Sequence, residues 1–175
     1  SRFWSSLLIY SYKRGHVIML EINQTAPNFA LYDAHENLQQ LTDFQNYWLV
    51  IYFYPKDNTP GCTKEACALR DDNEEFSKLN TKVIGISTNN SESHLSFSEQ
   101  QSLPFTLLAD PEGTVSAAYG SLFKLGPIKF CKRHSFIIDP AGKIAKIYRS
   151  VSPSLHSQEL LQDLQSLQQP YSKNE

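Results

Sequence analysis

Trp48-Leu49-Val50-Ile51-Tyr52-Phe53-Tyr54-Pro55-Lys56-Asp57-Asn58-Thr59-Pro60-Gly61-Cys62-Thr63-Lys64-Glu65 is an apolar run that breaks at proline and resumes as a helix. Residues 48–54 carry no polar alternation, which predicts a strand buried on both faces. Pro55 and Pro60 end that strand and stiffen its exit, and Gly61 lets the backbone turn tightly into the next element. Cys62 therefore lies where a strand hands over to a helix. Unpaired backbone N–H groups and the positive end of the helix dipole favour thiolate over thiol at such a position, so the sulfur is a candidate nucleophile near neutral pH.

Downstream, Ala66, Leu69, Phe76 and Leu79 form an apolar stripe that predicts one long helix over residues 62–79. A strand at 83–87 follows, then a helix at 91–101 with Ser91 as its N-cap, and a short strand at 106–108. Asp110-Pro111-Glu112-Gly113 reads as a turn opening a helix through Tyr119, and residues 120–132 read as a connection. Residues 135–138 and 144–148 flank Asp139-Pro140-Ala141-Gly142 as a hairpin, and residues 154–168 make an amphipathic closing helix. Upstream, residues 28–32 and 38–41 around a polar turn predict a β-hairpin, followed by a helical turn at Thr42-Asp43-Phe44. Strands alternating with helices between terminal hairpins predict an α/β fold, with a mixed central sheet covered by helices on both faces and an N-terminal β-hairpin.

A chain of 175 residues with 41% hydrophobic content is long enough for one sizeable core. Residues 19–175 are expected to form a single domain. Met19 is the one methionine and precedes the first predicted strand, so residues 1–18 are set apart as an appended or upstream-read extension, a targeting remnant or a genuine N-terminal arm. The net charge of -2 comes from interspersed acids and bases, with no basic stripe for nucleic acid and no polybasic helix for a membrane surface. Three cysteines in this length do not make a secreted disulfide framework, so a reducing, cytoplasmic setting is expected. His16, His35, His94, His134 and His156 are scattered and no Cys-x-x-Cys pair occurs, so neither metal nor cofactor is expected.

Pro55, Thr59, Pro60, Gly61, Cys62 and Thr63 match the Pro-x-x-x-Thr-x-x-Cys loop of the peroxiredoxins. With Cys67, Arg70, Ile86-Ser87, Leu103-Pro104-Phe105, Leu108-Ala109-Asp110 and Arg133-His134-Ser135-Phe136-Ile137-Ile138-Asp139-Pro140-Ala141-Gly142, the chain resembles the bacterioferritin-comigratory-protein, or PrxQ, branch over roughly residues 21–167. The resemblance implies a thioredoxin-like fold and reduction of hydrogen peroxide and organic hydroperoxides. It also implies regeneration by thioredoxin or a glutaredoxin-like dithiol protein.

On that reading Cys62 attacks the peroxide. The Thr59 hydroxyl accepts from the peroxide and donates toward the sulfur, and Arg133, on a neighbouring strand, adds a permanent cation. Pro55 shields the sulfur, the Gly61 and Cys62 amides add donors, and Glu65 either orients Arg133 or is a favourable first-turn acid. Thr59 could instead be a turn former and Arg133 a surface salt-bridge partner. Lys56 and Asp57 read as solvated loop charges. Cys67 is the candidate resolving thiol, which would attack the sulfenic acid on Cys62. Five residues of α-helix separate Cα atoms by roughly 8–9 Å, and disulfides rarely exceed ~6.8 Å, so the bond requires the first turns to unwind. Cys131 matches no resolving position and reads as a spare, semi-buried thiol; His134 reads as a packed or solvent-facing ring. A monomer is expected. The competing readings are a general thiol-disulfide oxidoreductase, and a redox sensor or holdase switched by Cys62 oxidation.

Overall fold

The computed structural model describes residues 19–170. The expected extension at 1–18 lies outside the described residues. A seven-stranded sheet runs in the order β2-β1-β5-β4-β3-β8-β9. The apolar run forms its central strand, β3 (Trp48–Phe53), parallel to β4 (Thr81–Ser87), which is in turn parallel to β5 (Thr106–Ala109). Hairpins close both edges: β1 (Ala30–Asp33) with β2 (Leu38–Gln40), and β8 (Ser135–Ile138) with β9 (Ile144–Tyr148). The sheet is therefore mixed, as the alternation of elements predicted.

Side-chain alternation along β3 builds two cores. Val50, Tyr52 and Tyr54 face one cluster with α1 (Pro60–Asp71), α2 (Asn73–Lys78), α3 (Ser91–Gln101) and the closing helix α5 (His156–Gln168). Leu49, Ile51 and Phe53 face the other, with Phe29, Val115 of α4 (Thr114–Ala118) and Tyr119. Each such buried side chain stabilises the fold by roughly 1.5–3 kcal/mol. The Tyr52 ring crosses β4 so closely that a Cβ on Gly85 would meet it at 2.8 Å, which is why that strand position carries glycine.

Four local expectations are corrected. The long helix ends at Asp71 and restarts at Asn73, because Asp72 leaves helical geometry (φ -96°, ψ 5°) and gives its carboxylate to Ser157 and Gln158 of α5. Asn90, not Ser91, caps α3, accepting from the Ser93 amide. The connection at 120–132 holds a second, two-stranded sheet, β6 (Leu122–Leu125) with β7 (Ile128–Cys131), whose Phe123 and Phe130 rings stack at 4.7 Å. Arg133 and His134 lie on a bend between β7 and β8 rather than on a strand.

Candidate active site

Helix α1 begins at Pro60, two positions earlier than expected, with Thr59 in extended geometry at its N-cap. Proline is suited to that first position because its missing N–H would have had no partner. Cys62 thus occupies the first turn, where the Gly61 and Cys62 amides have no intrahelical acceptor. Its side chain is 1% exposed and packs into the core with Ala66 and Leu69. The core around it therefore shields the sulfur from water, and Pro55, expected to do so, is half-buried where β3 gives way to the loop.

Arg133 reaches the site from its bend. Its Nη2 donates to Cys62 Sγ at 3.4 Å and its Nη1 to Glu65 Oε2 at 2.8 Å, so one guanidinium spans sulfur and carboxylate. A Cβ at position 61 would stand 3.1 Å from that same Nη2, so a larger residue there would push the guanidinium by a few tenths of an ångström. Glu65 is fully buried, its Oε1 has no hydrogen-bond partner, and the buried Tyr52 hydroxyl has none either. An unpaired buried polar atom costs about 1–3 kcal/mol, so the site holds local instability that the surrounding core offsets. Burial pushes the Glu65 carboxyl up to about 7, against the pull of Arg133.

This shift sets a sign for stability. Between about 4.5 and about 7 the native carboxyl keeps a proton that the unfolded one has lost, so stability falls as pH rises through that window. The decline should be roughly 3 kcal/mol. Chemical denaturation at several pH values is expected to show it in the native chain and to show a flatter profile in Glu65→Gln.

Thr59 departs from expectation in one respect. Its Oγ1 donates to the Lys56 carbonyl at 2.8 Å, not to the sulfur, which leaves the hydroxyl oxygen as an acceptor. Lys56 is exposed, but Asp57 is 5% exposed and is no solvated charge. Its carboxylate accepts from the Tyr54 hydroxyl at 2.6 Å and the Ser93 hydroxyl at 2.8 Å, and lies 2.7 Å from His94 Nδ1. His94 Nε2 meets the Leu108 carbonyl at 3.1 Å, and the Asp57 amide donates to Asn89 Oδ1 at 3.0 Å. This buried junction fastens the Cys62 loop to α3 and β5. The helical spacing of His94 and Phe97, which puts both on one face of α3, was the available signal for it.

The remaining residues sort cleanly. Cys67 lies on the same unbroken helix as Cys62, half-buried, and all three cysteines are free thiols. Cys131 is fully buried at the end of β7, 3.1 Å from Ser116 Oγ, and burial pushes its thiol up to about 12. His134 is packed, bonding Ser121 Oγ through Nδ1 at 2.9 Å. An opening of about 430 Å³ lined by Pro55, Lys56, Thr88, Asn89, Lys129 and Phe130 flanks the loop. Phe105 packs edge-on against Tyr52 in the core. Among the described residues no helix is long and apolar enough to cross a membrane, and no three His, Cys, Asp or Glu side chains converge as metal ligands.

Residues 22–147 match the model of the AhpC/TSA family. The chain is 40% identical over 154 residues to Peroxiredoxin Bcp of Bacillus subtilis, covering 85% of this chain and 97% of that one. It is 41% identical over 147 residues to the chloroplastic Peroxiredoxin Q of Sedum lineare, covering 82% of this chain and 77% of the relative. Among solved structures, the peroxidoxin BcpB of Mycobacterium tuberculosis superposes with a TM-score of 0.81 at 31% identity, over 86% of this chain and 99% of its own.

Proposed function

The chain belongs to the AhpC/TSA family and is a peroxiredoxin of the Bcp and PrxQ kind, a thiol-dependent peroxidase with a thioredoxin-like fold; from that premise we propose that Cys62 is its peroxidatic residue. The observation that carries the reading is the Arg133 guanidinium, which bonds the Cys62 sulfur with one nitrogen and buried Glu65 with the other. Such a donor binds a thiolate more strongly than a thiol, and it is already aimed when the substrate arrives. In the step itself the Cys62 thiolate attacks one peroxide oxygen. An S–O bond forms, the O–O bond breaks, sulfur loses two electrons, and the departing oxygen keeps the pair and takes the hydroperoxide's proton. The Thr59 oxygen accepts from the bound hydroperoxide, while the Gly61 and Cys62 amides and Arg133 hold the charge that builds on oxygen.

Cys67 then resolves the sulfenic acid, and thioredoxin or a glutaredoxin-like protein reduces the disulfide. We take residues 19–175 as one monomeric domain working on hydrogen peroxide and organic hydroperoxides in a reducing compartment, the cytoplasm by preference. Both thiols start on one ordered helix, so closing the bond melts the first turns of α1.

Treatment with one equivalent of peroxide, followed by peptide mass spectrometry and amide exchange on the same samples, tests this. A Cys62–Cys67 link with lost protection across residues 61–71 is expected. A bond involving Cys131, or full protection despite the link, would overturn the resolving assignment or the melting step respectively.

A further inference from the structure

Cys67 lies in mid-helix, away from the positive end of α1 that serves Cys62, so any positive charge near its sulfur must come from a side chain. Its thiol donates to Gln101 Oε1 at 3.3 Å, across the contact with the last residue of α3. Arg70, one turn further along α1, donates through Nη1 to the Gln101 backbone carbonyl at 2.8 Å and through Nε to Asp71 at 3.0 Å. Arg70 and Cys67, three positions apart on one face of α1, thus both reach Gln101, which brings the guanidinium and the thiol to the same contact. Lys64, one turn before, is exposed to solvent, where screening weakens its field.

We propose that Arg70 activates the resolving thiol, holding the negative charge on the Cys67 sulfur as its proton leaves, while Gln101 retains the same thiol in its resting place. The proposal rests on the reading of Cys67 as the resolving residue. In the step, the Cys67 thiolate attacks the Cys62 sulfenic sulfur. The S–S bond forms and the S–O bond breaks. The Cys62 sulfur is reduced as the Cys67 sulfur is oxidised, and the departing hydroxide takes up the proton that Cys67 released, leaving as water. Arg70 stays clipped to α3 through the Gln101 carbonyl while the preceding turns unwind, so its charge remains at the place from which the thiolate departs.

The two residues have opposite expected effects, which a general loosening of the α1–α3 contact would not produce. Reduced protein is mixed with one equivalent of hydrogen peroxide and quenched at set times. Mass spectrometry then follows trapped sulfenic acid and the Cys62–Cys67 disulfide. Arg70→Gln, which keeps an N–H for the carbonyl but loses the charge, is expected to form the disulfide about tenfold more slowly. Sulfenic acid then accumulates, and sulfinic acid appears at correspondingly lower peroxide excess. Arg70→Lys should stay near the native rate, and Gln101→Leu should be roughly two- to fivefold faster, having lost the bond that retains the thiol. An unchanged rate in Arg70→Gln, an Arg70→Lys as slow as the glutamine variant, or a slower Gln101→Leu would overturn the inference. If the native protein never links Cys62 to Cys67, the underlying reading fails and takes the inference with it.

Discussion

Cys62→Ser is expected to abolish peroxide turnover, lowering it by about four orders of magnitude or more, the scale seen when a catalytic nucleophile is removed. Serine preserves the shape at the start of α1 and fits a position that is 1% exposed, so thermal unfolding should change little. What is lost is the sulfur. An alcohol beside Arg133 stays protonated near neutral pH, and an alkoxide could not reduce a peroxide. Consumption of hydrogen peroxide in the presence of thioredoxin and its reductase is the measurement. Turnover within tenfold of the native rate would move the chemistry to another residue and sink the assignment.

Arg133→Gln is expected to lower kcat/KM for hydrogen peroxide by roughly 10²–10³, the usual cost of removing one preorganised donor from developing charge. It should also destabilise the fold, by up to about 3–5 kcal/mol, because Glu65 is then buried with no cation opposite. That penalty grows with pH as the carboxyl ionises, so the variant should be nearer native stability under mildly acidic conditions. Combining it with Glu65→Gln separates the two roles. The double variant should regain most of the stability and almost none of the activity. Recovery of activity along with stability would make Arg133 a structural counter-ion and nothing more.

How much of this could be read from the chain depended on range. The Cys62 loop was legible because its determinants, an uninterrupted apolar strand, two prolines and a glycine, are adjacent in sequence. Arg133, 71 residues from Cys62, was reached only through the resemblance, since local patterning cannot pair a bend with a distant helix. Asp57 was misread as a solvated charge for the same reason, and its pairing with His94 has no local signature. Each looks like an ordinary polar residue until the fold puts their side chains 2.7 Å apart in a space closed to water. The break at Asp72 had a weak local warning in Asp71-Asp72-Asn73, but the deciding contacts come from α5 at the far end of the chain. The β6–β7 hairpin has only Gly126-Pro127 between two short runs to announce it, and its strands are largely exposed, so the alternation that marks a half-buried strand is weak there.

The burial of Cys131 fixes the electrical capacity of the molecule. With that thiol locked away and held protonated, the proposed mechanism leaves each chain two reducing equivalents, the pair on Cys62 and Cys67. On that mechanism one hydroperoxide discharges it completely, and an outside donor must recharge it before the next can be reduced.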